Sequence, residues 1–251
     1  MYDSPVPLRG ECTHNYQERT PQKAVQIFNT RTLHRMGNYV IKIALNHSIV
    51  IAVIIGVIRF KKVAADFYPF LLVILAGLVN ESLSLVLIYT TGSNTINSNV
   101  FVLLEYTLLL WQFYRWEGRH HKKYFLLAGI GLAIWITDNL LVNTLAQNNS
   151  LFRVFYSFVI LFLSIDEINK LIIFENEDLL KNACFIICFT FLFYYGLKAF
   201  IESYNMFHLG LSKGLLQSLW IILYFVNVVA NLLYAIAILC MPPKLKFTFP
   251  Y

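Results

Sequence analysis

Charge is scarce in this 251-residue chain: charged residues make up only 14% of it, whereas hydrophobic residues make up 58%. An ordinary soluble domain has about 25% charged residues, so this composition and a mean hydropathy of +0.60 exclude that class. Cysteine is scarce as well, with four in the chain, three of them within apolar runs. Neither a disulfide framework nor a cysteine-histidine zinc pattern is therefore expected.

Motifs of known catalysts are missing too, since the chain has no H-E-x-x-H, no G-x-S-x-G, no Gly-rich phosphate loop and no kinase signature. No second intramembrane histidine accompanies His47, which disfavours haem or a metal pair. We therefore expect no cofactor, no metal site and no identifiable catalytic residue. The net charge of +6 does not indicate nucleic acid, because Lys and Arg cluster in short links between apolar runs, where membrane topology explains them.

Seven apolar runs follow a polar segment at residues 1–36, which holds three prolines and is predicted to be a disordered tail. An alternative is that translation starts at Met36. Residues 37–241 are predicted to form one transmembrane domain, and residues 242–251 a short cytoplasmic tail that begins where Pro242 and Pro243 end the last run. The runs lie at about residues 39–58, 68–89, 99–114, 124–141, 151–165, 183–201 and 215–241.

The links between the runs differ in charge, and this difference predicts the orientation of the chain. Links after the first, third and seventh runs are strongly basic, whereas those after the second, fourth and sixth are nearly uncharged. The positive-inside rule then places the N-terminus outside and the C-terminus in the cytoplasm. The sequence thus predicts an all-α, multi-pass protein of seven transmembrane helices in a cell membrane, most simply a bacterial inner membrane.

Two carboxylates lie deep within neighbouring runs. Glu81 comes about nine residues before the uncharged link at 91–97 and Glu105 about eight after it, so both should lie about 12–14 Å below the same membrane face. A central carboxylate costs about 2.5–3.5 kcal/mol, which favours a functional role for Glu81. Facing one another, the pair would share a proton or hold a cation or cationic ligand group. Asn80 beside Glu81 either lines the same site or bonds a neighbouring helix.

The seventh run carries a polar seam whose members are spaced 3-4-3-4-3, which keeps them on one helix face. Small residues alone would let helices touch, so this seam favours a site-lining role over packing by amide ladders. Its members are Gln217, Trp220, Tyr224, Asn227, Asn231 and Tyr234. The predicted ligand-binding residues are Asn80, Glu81, Glu105, Tyr224, Asn227 and Asn231.

Two further charges, Asp138 and Lys198, fall in the outer third of the fourth and sixth runs as predicted. An ion pair between them is therefore expected, with a structural rather than a functional role.

Several of these polar positions resemble a known group of proteins. Asn80-Glu81, the run Leu103-Leu104-Glu105-Tyr106 and the seam from Trp220 to Asn231 are similar to sequences of uncharacterised bacterial seven-helix membrane proteins. Such proteins look like the membrane sensor modules of histidine kinases, some of which occur without their own kinase domain. The resemblance covers residues 37–241 and implies that signalling output passes through a cytoplasmic or membrane partner.

Three functions remain open from the sequence. The first is a non-enzymatic membrane sensor or signalling-accessory protein whose polar pocket binds a small or lipidic ligand. The second is a proton- or cation-coupled transporter, against which the lack of a clear inverted repeat counts. The third is an intramembrane lipid hydrolase that uses paired carboxylates as general acid and base.

Overall fold

The computed structural model describes residues 47–117, 121–147, 149–174, 178–207 and 213–244. These residues form α-helices joined by short turns and no β-strand, so the prediction of an all-α protein is confirmed for this part of the chain. The predicted tail at 1–36, most of the first half of the first run and residues 245–251 lie outside the described residues.

Seven α-helices match the seven apolar runs in order, and several are longer than the runs that predicted them. The helix of the fifth run continues nine residues past the predicted end, through turns in which Lys170 pairs with both Asp166 and Glu167. The helices are α1 (Ile49–Arg59), α2 (Tyr68–Thr91), α3 (Thr95–Glu117), α4 (His121–Ile136), α5 (Leu151–Phe174), α6 (Ala183–Phe207) and α7 (Lys213–Cys240).

Each helix packs against the next along the chain, and α7 packs back on α1, so the described helices form a closed ring. The α3 helix also contacts α5 across the ring. Tyr106, Tyr156, Phe191 and Tyr195 are almost completely buried at its centre. Their rings meet edge to face, with Tyr156 and Tyr195 centroids 5.7 Å apart and Phe191 and Tyr195 centroids 5.6 Å apart.

Four helical segments are long and apolar enough to cross a membrane, as expected of a membrane protein: Ala65–Thr91, Lys122–Val142, Ala183–Phe207 and Gln217–Cys240. Helices α3 and α5, with 23 and 24 residues, are comparably long; α3 is less apolar than the others, whereas α5 is as apolar as α6 but carries four charged residues. Several of their polar side chains point into the protein, since Asn99, Gln112, Arg153, Ser157 and Ser164 are all buried. Both helices therefore contribute polar groups to the interior of the protein.

The ends of α2 follow from its sequence. Pro69 occupies the first turn, where a missing N–H costs no helical hydrogen bond. At the other end Gly92 takes a φ of 76°, a left-handed conformation that ends the helix and suits glycine. The uncharged link that follows returns the chain into α3, which places Glu81 and Glu105 on adjacent antiparallel helices.

At the opposite end of the ring, hydrogen bonds join α1 to α7. We call this end the basic end, because it carries Arg59, Lys62 and Lys244. The Arg59 guanidinium donates to the carbonyls of Leu239 and Met241, two of the orphan acceptors at the end of α7. The Lys244 N–H donates to the Lys62 carbonyl at 2.8 Å, so the residues after α7 pair with the α1–α2 link. Hydrogen bonds therefore join the ends of α1 and α7 at this end of the ring.

Candidate functional site

A cavity between α1, α2, α3, α6 and α7 brings together most of the residues that the sequence singled out. About 80 Å³ of it is open to the centres of water molecules. One water needs about 10–15 Å³ of such space, so the cavity has room for a few waters or a small ligand and too little for an acyl chain. Five of the six predicted residues line it: Asn80, Glu81, Glu105, Asn227 and Asn231.

The sixth predicted residue, Tyr224, does not line the cavity. The polar seam of α7 enters the cavity only from Asn227 onward, through Asn231 and Tyr234. Gln217, at the start of the seam, is exposed. The seam is therefore one helix face in two parts, of which only the second contributes to the site.

Asn80 and its neighbours join α2 to the start of α3. The Asn97 side-chain amide donates to Asn80 Oδ1 at 2.8 Å and to Ser84 Oγ at 3.2 Å. The Asn80 side chain thus does both things that the sequence left open, since it bonds a neighbouring helix and also lines the cavity. These bonds fix the distance between the helices that carry Glu81 and Glu105.

Glu105 is held by three side chains from α5 and α6. The hydroxyl of Tyr156 donates to Oε2 and that of Tyr195 to Oε1, both at 3.0 Å. Lys198 Nζ lies 3.6 Å from Oε2 and also donates to the Tyr156 hydroxyl. Both charged side chains are only 12% exposed. The carboxylate is therefore fixed by charge-assisted hydrogen bonds at the wall of the cavity.

Three aromatic rings surround the Lys198 ammonium. Its Nζ lies 4.9 Å from the centroid of Tyr156, 5.5 Å from that of Tyr194 and 5.6 Å from that of Tyr195. Ring faces attract a cation at such distances, and more strongly when it is desolvated. The buried Lys198 charge is thus stabilised both by the Glu105 carboxylate and by the faces of the tyrosine rings.

The predicted ion pair between Asp138 and Lys198 is wrong. Asp138 lies in a π-helical extension of α4 (Thr137–Val142) and accepts the Phe152 N–H at 2.9 Å and the Asn143 side-chain amide at 3.1 Å. It therefore caps the first turn of α5, where the helix dipole favours a negative charge. Lys198 instead neutralises Glu105, so the charge partner of that carboxylate comes from the chain itself.

Sequence reasoning missed the contribution of α6 to the site. Tyr194, Lys198 and Glu202 follow one another at four-residue spacing, the interval that places side chains on one helix face. That spacing was visible in the sequence and predicts a polar face on α6. Tyr195 and Tyr156, which hold Glu105, lie among many aromatic residues and carried no distinguishing signal.

Arg153 was also missed and organises a second polar cluster, near the start of α5. It is 8% exposed and donates to Ser98 Oγ at 2.8 Å and to Asn99 Oδ1 at 3.0 Å. Glu202 lies 3.9 Å from the guanidinium and accepts a hydrogen bond from Ser150 at 2.7 Å. The cluster joins α3, α5 and α6.

A third charge cluster joins α3, α4 and α5 at the basic end. Glu117 pairs with Lys123 and, at 3.6 Å, with Lys170, and it accepts a hydrogen bond from the Tyr124 hydroxyl. Burial raises the pKa of the Glu117 carboxyl, but the hydrogen bonds and charges of these neighbours outweigh it and hold the pKa below its ordinary value. The carboxylate is therefore ionised and ties the three helices.

Within the described ranges, no three His, Cys, Asp or Glu side chains are grouped so that they could hold a metal ion. Comparisons of the chain with protein-family models, curated proteins and solved structures found no match.

Proposed function

We propose that the chain crosses the membrane seven times, with its N-terminus outside and its basic end in the cytoplasm of a bacterial cell. Helices of 23 and 24 residues are about 35 Å long, which suffices for a hydrocarbon core of about 30 Å. Five polar side chains of α3 and α5 are buried in the ring, away from lipid: Asn99, Gln112, Arg153, Ser157 and Ser164. The short α1 continues the apolar run that begins near residue 39.

Within this bundle, the cavity is proposed to bind a small polar ligand and to report its presence to a signalling partner. The observation that carries the proposal is the convergence of Glu81 and Glu105 with three asparagines on one small cavity. Carboxylates accept hydrogen bonds and bind most strongly to charged donors. A ligand with N–H donors, such as a small primary ammonium, fits this chemistry.

The link between α1 and α7 supplies a route from the cavity to the basic end. Asn231, which lines the cavity, donates to Ser48 Oγ at the start of α1 at 2.8 Å. Arg59, at the end of α1, donates to carbonyls at the end of α7. A ligand that displaces α7 would thus move α1 with it, and a partner at the basic end would sense the pair.

A cation-coupled transporter is the second candidate, favoured by the Glu105–Lys198 ion pair beside a cavity that contains another carboxylate. Exchange of such a pair with a transported cation would couple the ion to a helix movement. A lipid hydrolase is not favoured, because the cavity is too small for an acyl chain.

The sensor and the transporter differ in what methylammonium, the chosen probe, does to the protein in liposomes. Spin labels at Lys61→Cys and Lys181→Cys, in a chain whose Cys12 and Cys240 are changed to Ser, report movement at the basic end. We expect methylammonium to shift the mean label distance by about 1–2 Å, with no uptake above that of protein-free liposomes. Acetate should cause no shift.

An unchanged distance with methylammonium would contradict the sensor proposal. Saturable uptake of the labelled amine would replace it with the transporter.

A further inference from the structure

A second cavity lies on the outer surface of the ring, between α1 and the first half of α2, and we call it the α1–α2 groove. Its volume is about 480 Å³, six times that of the polar cavity. The lining is apolar apart from one residue, and several members are exposed: Val57 by 67%, Ile58 by 72% and Leu75 by 44%. An open apolar groove of this size on a membrane-facing surface accommodates hydrocarbon.

The exception in the lining is Lys61, which lies where α1 ends. Lys62 follows it, and both lysines are exposed. Lys244 lies close by, because its N–H donates to the Lys62 carbonyl and its ammonium lies 5.1 Å from the Tyr68 ring. Tyr68 stacks on Phe60, a member of the groove lining, at 4.9 Å. Three lysines therefore surround one mouth of the groove.

A carboxylate lies near this mouth but does not cancel its charge. Asp66 in the α1–α2 link pairs with Arg115 of α3 at 2.7 Å. Its negative charge is thus matched by a cation that belongs to another helix. The mouth keeps a net positive charge that complements an anion.

A second apolar groove on the surface supplies an internal comparison. It lies between α6 and α7, measures about 320 Å³ and is lined by residues such as Phe189, Phe193 and Phe225. No charged residue belongs to its lining. Hydrocarbon would enter either groove, but only the α1–α2 groove combines an apolar channel with cations at one end.

We propose that the α1–α2 groove binds a phospholipid with an anionic headgroup. One acyl chain lies along the apolar lining, and the phosphate contacts Lys61 and Lys62 at the mouth. Basic residues beside apolar surface at one membrane interface are the pattern by which anionic lipids are recognised. This site is separate from the polar cavity and does not depend on the ligand proposed there.

Native mass spectrometry of the full chain in a non-ionic detergent tests the proposal, with phosphatidylglycerol and phosphatidylcholine of identical acyl chains as probes. We expect the first phosphatidylglycerol to bind more tightly than phosphatidylcholine, by about fivefold for each contributing lysine. The double variant Lys61→Gln/Lys62→Gln should lose this preference. The matched control, Lys122→Gln/Lys181→Gln, removes two exposed lysines from the same end and should keep it.

A variant that fills the groove tests the acyl chain separately. Val57→Trp should remove one bound equivalent of either lipid, whereas Val79→Trp, at an exposed position of α2 outside the groove, should not. The proposal is overturned if the Lys61→Gln/Lys62→Gln variant still prefers phosphatidylglycerol to phosphatidylcholine. It is also overturned if the control variant loses this preference to the same extent. Cross-linking of a photoreactive residue at position 57 to residues 1–46 would show that the chain's own N-terminal segment fills the groove.

Discussion

Glu105→Gln should lower the free energy of unfolding by about 3–5 kcal/mol, because it leaves the Lys198 ammonium buried without its counter-charge. One of the two tyrosine hydroxyls that now donate to Oε1 and Oε2 would keep the amide oxygen as its acceptor, whereas the other would face the amide NH2, so a lost hydrogen bond adds to the cost of the stranded charge. Unfolding in mixed micelles, followed by circular dichroism, measures the change. Lys198→Met should be comparably harmful, because it strands the carboxylate.

The double variant Glu105→Gln/Lys198→Met separates pairing from general damage. It should lose less stability than the two single losses added together, by a coupling energy of about 1–3 kcal/mol. The exposed pair Asp178–Lys181 is the control, and Lys181→Met should cost less than about 1 kcal/mol because both side chains are more than 70% exposed. Strict additivity at Glu105 and Lys198 would contradict the pairing.

Gly131→Ala should be the most damaging single-methyl change in α4. A Cβ at this position would lie 2.3 Å from Tyr106 Cε1 and 2.9 Å from its hydroxyl oxygen. Tyr106 is fully buried and donates a hydrogen bond to the Leu127 carbonyl at 2.7 Å, so its ring has little room to retreat. Overpacking of this kind costs about 1–3 kcal/mol, and loss of the hydrogen bond adds to it.

Gly129→Ala, two residues away on the same helix, is the matched control. Nothing lies within 4 Å of a Cβ built there, so the substitution should stabilise α4 by about 1 kcal/mol through helix propensity. Opposite shifts in melting temperature for the two variants are the expected result. A Gly131→Ala protein as stable as wild type would show that α3 and α4 do not pack as described.

The sequence was sufficient to predict the helices and five of the polar residues that line the cavity. Asn80 and Glu81, and likewise Asn227 and Asn231, are polar positions within apolar helices, and helical periodicity alone assigns the members of a seam to one face. Burial of such groups away from lipid then directs that face inward. Periodicity does not say how far along a helix a cavity extends, which is why Tyr224 was included with Asn227.

The partner of Lys198 was predicted incorrectly because its depth was misjudged. The sixth run was expected to end at residue 201, but α6 continues to Phe207 through a segment of mixed polarity. Lys198 therefore lies about 13 Å from the end of its helix, a depth similar to that of Glu105 from the start of α3. Asp138 lies only four residues before the end of its π-helical segment. Run lengths read from hydropathy underestimate helices whose last turns are polar.

The measurement that tests the central claim most directly is a titration of the purified chain in lipid nanodiscs with radiolabelled methylammonium. Wild type and Gln217→Ala, a change on the exposed part of the α7 seam, should each bind one equivalent. Glu81→Gln should bind at least about tenfold more weakly, because a hydrogen bond to a charged acceptor is lost. Unchanged affinity in Glu81→Gln, or equal binding of acetate by wild type, would contradict a ligand site at the polar cavity.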